Sequence, residues 1–191
     1  MSYIYLVASL LSSLTITIML RLFEQKDANR VVIIASNYIV AGTLGLALSS
    51  HSSLQWPIIG YGAAIGLFFF IAFVMFSYAI KKTGMAASVT IGRLSLAVPV
   101  LFSIIFWGES PGIPDIVALL LILVIILTWE GKIGKLSPIL LGLFLLFGGI
   151  DTGMKYFKLG FSGVDDGFFL IILFYSAMVW SWGYILVKNI T

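Results

Sequence analysis

The sequence predicts an all-α protein, a multi-pass bundle of about seven transmembrane helices. Of its 191 residues, 61% are hydrophobic and only 10% are charged, and the mean hydropathy is +1.13. A soluble domain carries about 25% charged residues. A small soluble domain has a large surface relative to its core, so it could not bury this many apolar residues. Lipid is therefore the predicted medium around most of the chain.

Seven apolar runs are long enough, or nearly long enough, to span a membrane as helices. A bilayer core of about 30 Å takes about 17–25 residues in helical form. A spanning segment must satisfy its own backbone hydrogen bonds, and the runs lack the alternation of barrel strands, so each is predicted to be a helix. The runs are residues 2–23, 31–49, 57–80, 85–107, 114–129, 137–159 and 167–187.

The first and fifth runs need separate justification. Residues 2–23 lack the positively charged start of a signal peptide and exceed the length of its apolar region, so we expect a retained first span. Residues 114–129 form the shortest run, but their centre has no polar residue, and Trp129 suits the membrane interface. Prolines open three of the later runs, where a missing N–H costs nothing: Pro57, Pro114 and Pro138.

The links between the runs are short, which makes consecutive helices antiparallel neighbours. Lys81-Lys82-Thr83-Gly84 is predicted to form a tight turn between the third and fourth spans. Within the fourth span, Pro99 removes a backbone donor and is expected to break the hydrogen-bond ladder. The spacings Gly62–Gly66 and Gly149–Gly153 place small residues one turn apart, which predicts close helix packing.

Lysine and arginine are unevenly shared between the two sides of the predicted bundle. The N-terminus and the even-numbered links hold at most Lys155 and Lys158. The positive-inside rule then places the N-terminus outside and the C-terminus in the cytoplasm. The odd-numbered links and the C-terminus hold eight basic residues: Arg21, Lys26, Arg30, Lys81, Lys82, Lys132, Lys135 and Lys188.

Composition and motifs exclude several kinds of chemistry. Cysteine is absent and histidine occurs once, so disulfides are excluded and a zinc site lacks its usual ligands. No basic stripe supports nucleic-acid binding. The sequence also lacks a nucleotide-binding loop, a nucleophile elbow and paired catalytic carboxylates. We therefore expect no catalytic residue, no metal, no cofactor, no nucleic-acid partner and no enzymatic activity.

The two ends of the chain contain a weak internal repeat. Thr17 and Thr152 match at an offset of 135 residues, and Tyr38 and Tyr175 match at an offset of 137. The two matching units start five spans apart, and an odd number of spans makes the second unit enter the membrane in the opposite sense. This arrangement is an inverted repeat, which is common in transporters.

Three stretches carry a resemblance to a known family. They are Arg21-Leu22-Phe23-Glu24 with Asn37-Tyr38, the run from Gly92-Arg93-Leu94-Ser95 to Gly108-Glu109, and Ile150-Asp151-Thr152 with Lys155-Tyr156. In these stretches the chain resembles the EamA-like branch of the drug/metabolite transporter superfamily. The resemblance implies two inverted five-helix units that rock around a central cavity and carry small solutes by alternating access.

The resemblance also implies a division of the chain into residues 1–130, a first five-helix unit, and residues 131–191, the first two helices of a second unit. On this reading the chain is truncated after the seventh helix. A working short form would need a homodimer, or further helices, to complete the bundle. The family places its N-terminus inside the cell, which conflicts with the orientation from the basic residues, so orientation stays open.

Ionisable side chains at membrane depth are the first candidates for a solute site, because each costs about 2.5–3.5 kcal/mol at a helix centre. Arg93, nine positions into its run, could hold a carboxylate or phosphate, or could pair internally. Asp151 and Lys155 are four residues apart and share a helix face. They could form a coupling group in which Asp151 exchanges partners between Lys155 and Arg93, or a fixed structural ion pair.

Less polar side chains complete the predicted site. Asn37 could bind a solute or bridge two helices. Tyr38 and Tyr175, the matched pair of the repeat, could line a cavity. Glu109, at the end of the fourth span, and Asp115, at the start of the fifth, are expected to be solvated loop groups.

A secondary transporter in the cell (inner) membrane is the function that these observations favour, with the bilayer and a small solute as partners. A membrane fragment or assembly subunit that does not itself transport is the alternative. A membrane-embedded enzyme lacks clustered catalytic groups. A retinal-type receptor would need a lysine in the last helix, and residues 167–187 contain none.

Overall fold

The computed structural model describes residues 29–49, 56–128, 137–161 and 163–189, together with Val7 and Ile18, which are both helical. Most of the predicted first span, residues 2–23, therefore lies outside the described residues. The regular structure within the described ranges is entirely α-helical. Its helices are α1 (Arg30–Leu48), α2 (Trp56–Thr83), α3 (Met85–Leu94), α4 (Ala97–Phe106), α5 (Ile113–Thr128), α6 (Pro138–Gly160) and α7 (Asp166–Val187).

These helices confirm the predicted all-α fold and match the apolar runs closely. Four helical stretches are long and apolar enough to cross a membrane: Trp56–Thr83, Met85–Phe106, Pro138–Gly160 and Asp166–Val187. Two shorter apolar stretches, Val31–Ala47 and Ile113–Ile125, lie within the predicted second and fifth spans. The chain is thus a multi-pass helical membrane protein.

Side-chain caps fix the starts of two helices. At α1, the side-chain oxygen of Asn29 accepts a hydrogen bond from the Val31 N–H at 3.1 Å. At α6, Ser137 Oγ accepts from the Leu140 N–H at 3.4 Å, and Pro138 occupies the first turn. Each cap satisfies a backbone donor that has no partner inside its helix.

The turn predicted at Lys81-Lys82-Thr83-Gly84 is shorter than expected, because α2 continues through Thr83. Gly84 alone separates α2 from α3, with a φ of +89° that glycine adopts without steric cost. Thr83 Oγ1 donates to the Ala79 carbonyl oxygen at 2.8 Å. The two lysines lie in the last turn of α2, where their positive charge complements the helix dipole.

The fourth span is divided at Ser95 and Leu96 into α3 and α4. Pro99 has no N–H for the Ser95 carbonyl oxygen, which instead accepts from Val98 N at 2.9 Å. The break packs against α6 at Gly148, where an added Cβ would lie 2.5 Å from Val98 Cβ and 3.0 Å from the Ser95 oxygen. The broken ladder predicted from Pro99 is therefore present, and a glycine on the neighbouring helix accommodates it.

The described helices pack around α2, α6 and α7. In α2, an added Cβ at Gly66 would lie 2.5 Å from the Leu173 carbonyl oxygen of α7, so the predicted close packing occurs at this glycine. Phe157 of α6 stacks on Phe169 of α7 with ring centroids 3.7 Å apart, and both belong to the same buried cluster as Leu173. By contrast, Gly149 has open space beside it. Close packing in α6 occurs at Gly153, as predicted, where an added Cβ would lie 2.7 Å from Ile65 Cδ1, and at Gly148, one residue before Gly149.

α1 and α7 run antiparallel along a long interface. An added Cβ at Gly42 would lie 3.3 Å from the Tyr175 ring, and one at Gly45 would lie 3.0 Å from the Ile171 side chain. Nearer the start of α1, Ile34 belongs to the same buried cluster as Ala177. Residues later in α1 therefore contact residues earlier in α7, as expected for two antiparallel helices.

α5 lies at the outside of the described bundle and contacts mainly α4. Large apolar side chains along its length are exposed, among them Ile113, Leu120 and Leu121. Such a surface suits contact with lipid tails, which are as apolar as leucine.

Candidate functional site

Lys155 of α6 is the centre of the polar cluster that joins α6 to α4. Its Nζ donates to Glu109 Oε2 at 2.6 Å and to Ser103 Oγ at 2.6 Å. The same nitrogen lies 5.5 Å from the centroid of the Trp107 ring, within the range of a cation–π interaction. The ammonium group thus contacts a carboxylate, a hydroxyl oxygen and an aromatic face.

Glu109 reaches Lys155 because of the way in which α4 ends. Trp107 caps the helix, and Gly108 has a φ of +64°, the left-handed conformation common in glycine C-caps. The chain then turns back, so that the Glu109 N–H donates to the Ser103 carbonyl oxygen at 3.3 Å. The Gly-Glu pair noted in the sequence is therefore a helix cap that directs a carboxylate toward α6.

Ser103 lies buried between the two helices. Its Oγ donates to the Pro99 carbonyl oxygen at 2.6 Å, so the hydroxyl proton is already used. The oxygen lone pairs remain available to accept from Lys155. This buried hydroxyl fixes the position of the ammonium group relative to α4.

Asp151 lies one turn before Lys155 on the same face of α6 and is half-buried. Among the described residues, nothing lies within hydrogen-bond or ion-pair distance of its carboxylate. The two pairings considered from the sequence, Asp151 with Lys155 and Asp151 with Arg93, are thus both absent from this part of the structure. Lys155 pairs instead with Glu109.

Arg93 occupies the last turn of α3, and its side chain is exposed. The preceding residue, Gly92, faces Phe147 of α6, and an added Cβ at Gly92 would lie 3.6 Å from the Phe147 ring. Since α3, α4 and α6 run parallel, Arg93 lies about one turn from the level of Asp151.

The remaining predicted site residues lie around α1 and α7. Tyr38 is fully buried and packs edge-on against Phe73, while its hydroxyl donates to the Phe69 carbonyl oxygen at 3.4 Å. Tyr175 packs its ring on Gly42. Asn37 is exposed on α1. The structure therefore places Tyr38 and Tyr175 at one helix interface, separate from the Lys155 cluster.

Three members of the cluster were missed as site residues from the sequence. Glu109 was expected to be a solvated loop group, and Ser103 and Trp107 were not considered. The available signal was the Gly108-Glu109 pair, since a glycine followed by a carboxylate at a helix end predicts a left-handed cap. Nothing in the spacing could match Glu109 to Lys155, which lies 46 residues later.

An apolar groove of about 310 Å³ lies between α2 and α7. None of the predicted site residues lines it. Its walls are Phe70, Ile71, Val74, Met75, Tyr78 and Tyr184. Among the residues that the structure describes, no three His, Cys, Asp or Glu side chains come together as metal ligands would.

A multi-pass helical bundle with ionisable groups inside its spans is typical of membrane transport proteins. Comparison with known families identifies the class: a model of the EamA-like transporter family matches residues 1–129, more than half of the chain. The protein belongs to the EamA-like transporter family, within the drug/metabolite transporter superfamily. Neither a curated protein nor a solved structure matches the chain.

Proposed function

We propose that the protein is a secondary transporter that moves small metabolites or drug-like solutes across the cell (inner) membrane by alternating access. The observation that carries this proposal is the half-buried carboxylate of Asp151 one turn from the Lys155 ion pair, inside a helix of a transporter family. Charges at this depth are costly and mark solute or ion pathways. The sequence has no nucleotide-binding loop, so the proposed driving force is an ion gradient or exchange.

The proposed solute pathway is lined by Arg93, Asp151, Lys155, Asn37, Tyr38 and Tyr175. Arg93, Asp151 and Lys155 follow one another along the parallel packing of α3 and α4 on α6. Tyr38 and Tyr175 belong to the α1–α7 interface, whereas Asn37 lies on the exposed face of α1. A pathway through all six requires that both groups face one cavity in at least one state of the transport cycle.

Two inverted units are the proposed moving parts, with residues 1–130 as the first and 131–191 as part of the second. The antiparallel α1–α7 interface supports this division. A two-fold axis in the membrane plane relates helices of opposite direction. Tyr38 and Tyr175, which match in the repeat, both lie in that interface, where Tyr38 stacks on Phe174 and Tyr175 packs on Gly42.

The break between α3 and α4 supports a conformational cycle. Discontinuous helices are frequent at the centre of transporters, because each half can tilt separately. Here α4 is held to α6 by Lys155 and Glu109 at one end and by the contact at Gly148 at the other. We propose that α4 moves relative to α6 during transport.

Uptake into proteoliposomes tests the proposal. Labelled metabolite mixtures are offered to vesicles that contain the wild type, Arg93→Ala or Asp151→Ala, with empty vesicles as the blank. We expect uptake by the wild type and at least a tenfold loss in each variant, since a hydrogen bond between the solute and a charged group is worth about 1.5–3 kcal/mol. Gly149→Ala, at an open position on α6, is the matched control.

Equal insertion and equal melting temperature of all variants would show that the loss is not a folding defect. Undiminished uptake by both alanine variants would reject the site. A stable wild type that transports nothing in any gradient would reject the carrier function and favour the assembly-subunit alternative.

A helix partner is a second part of the proposal, suggested by Asn37. This amide lies at mid-length in α1 and is exposed, although an amide facing lipid is unfavourable. We propose that a neighbouring helix, from a second copy of the chain or from helices that continue the bundle, covers this face. Asn37→Cys is then expected to form a disulfide-linked dimer in native membranes, whereas Gly60→Cys on exposed α2 surface is not. If both cysteine variants remain monomeric, the homodimer is rejected.

A further inference from the structure

The groups around Lys155 Nζ together form a receptor for a cation. Glu109 supplies a negative carboxylate, and Ser103 supplies a hydroxyl oxygen whose proton is committed to the Pro99 carbonyl. Trp107 supplies a ring face. The C-terminal end of α4 adds partial negative charge from its last carbonyl groups. All four features favour positive charge, and none favours an anion.

The receptor is open to exchange. The Lys155 side chain retains 35% of its exposure and that of Glu109 retains 45%, so the protein does not seal the ion pair, which lies beside the loop after α4. Lysine binds through a flexible four-carbon stem and can leave without moving the backbone. The ammonium group of Lys155 is thus a tethered occupant of a site that the protein does not seal.

A second position for the displaced lysine lies nearby. The Asp151 carboxylate is four residues before Lys155 on the same helix face, a spacing that supports an ion pair. It has no hydrogen-bond or ion-pair partner among the described residues. Lys155 can therefore move from Glu109 to Asp151 and remain paired, while Glu109 receives another cation.

We propose that Glu109, Trp107 and Ser103 bind the primary ammonium group of a solute in exchange for Lys155, which then pairs with Asp151. The inference rests on the proposed transport function and names its substrate class, solutes that carry an alkylammonium group. The amine of a lipid headgroup has the same chemistry and could occupy the same receptor. No covalent step is involved.

Calorimetric titration of the purified full-length protein with n-propylammonium chloride tests the exchange. This probe reproduces the end of a lysine side chain. Lys155→Met removes the competing ammonium, and we expect it to bind the probe about tenfold more tightly than the wild type. Glu109→Gln removes the main attractive charge, and we expect it to bind about tenfold more weakly. A purely structural ion pair would not produce these opposite signs.

The same titration with Asp151→Asn tests whether the displaced lysine pairs with Asp151. With Lys155 present, the displaced lysine loses its alternative partner, and we expect weaker probe binding by several-fold. In the Lys155→Met background, the loss from Asp151→Asn should be much smaller than in the wild-type background, because there is no lysine to relocate. Equal losses in both backgrounds would overturn the exchange.

Sodium propionate is the matched anionic probe. Binding of propionate that tightens in Glu109→Gln would overturn the proposal and identify an anion site at Lys155. The absence of n-propylammonium binding in both wild type and Lys155→Met would also overturn it. Melting temperatures close to wild type confirm that each variant is folded.

Short-chain phosphatidylethanolamine, with phosphatidylcholine as control, separates the two sources of the amine. Competition with n-propylammonium by phosphatidylethanolamine alone supports a lipid occupant, and its absence supports a dissolved amine. Because all readouts are binding constants, an inactive carrier can still pass this test. A carrier active on other solutes can equally fail it.

Discussion

Single residues decide whether the polar cluster can form. Glu109 has no secondary structure of its own to hold it against α6, and its position follows from the left-handed turn at Gly108. The backbone of one glycine thus places the carboxylate that pairs with Lys155. A change at Gly108 should therefore affect both the stability of the helix end and the ion pair.

Replacement of Gly108 tests this dependence. A Cβ at a φ of +64° costs about 1–2 kcal/mol, although the space around the glycine is open, so Gly108→Ala should lower the free energy of unfolding by that amount. Asn tolerates the left-handed conformation better, and Gly108→Asn should lose less. Melting temperatures in detergent report the loss. Equal melting of Gly108→Ala and the wild type would contradict the assigned cap.

At the scale of the helices, close approach at glycine decides the packing of α4 on α6. The break after α3 places Val98 and the Ser95 carbonyl against Gly148. The same helix carries Gly149, with nothing within 4 Å of an added Cβ. Of these two adjacent glycines, Gly148 therefore allows α4 to pack closely on α6, whereas Gly149 makes no such contact.

Alanine at these two positions gives a matched comparison. Gly148→Ala forces a Cβ against backbone and Val98 side-chain atoms and should destabilise the protein by about 1–3 kcal/mol. Gly149→Ala should be neutral or stabilising by up to about 1 kcal/mol, because alanine favours helix more than glycine does. Thermal unfolding of the two variants in the same detergent provides the measurement. Destabilisation of the same size in both would show that Gly148 makes no special contact.

The helices could be predicted from the sequence because lipid imposes long apolar runs. Five of the described helices begin and end within a few residues of a predicted run, α3 and α4 together fill one further run, and Pro99 correctly indicated the broken ladder between them. The continuation of α2 through Lys81 and Lys82 was missed because charged residues were assigned to the link. Their aliphatic stems and the favourable end of the helix dipole allow them to remain helical.

The polar cluster could be predicted only in part. Lys155 and Asp151 were recognisable because ionisable residues in an apolar run are conspicuous. Their partners were not, because the contact between Glu109 and Lys155 depends on which helices lie side by side. The pair expected from local spacing, Asp151 with Lys155, competes with a tertiary contact of 2.6 Å that also includes the Ser103 hydroxyl.

For the whole molecule, two kinds of contact coexist. The α1–α7 and α2–α7 interfaces are apolar and aromatic, with buried rings such as Tyr38 and Phe169. The α4–α6 interface ends instead in a partly exposed ion pair. Screening by dissolved ions does not weaken apolar contacts, whereas it does weaken an exposed ion pair. The α4–α6 end, like the exposed Lys158–Asp166 pair between α6 and α7, therefore depends on the aqueous phase for its strength.

The Lys155–Glu109 contact also limits how the two helices can separate. The four-carbon stem of Lys155 lets the ammonium group follow Glu109 over a small tilt of the helices. Because the pair is partly exposed, it contributes at most about 1 kcal/mol, so thermal motion can open this end of the interface. The ion pair therefore tethers α4 to α6 without locking the two helices together.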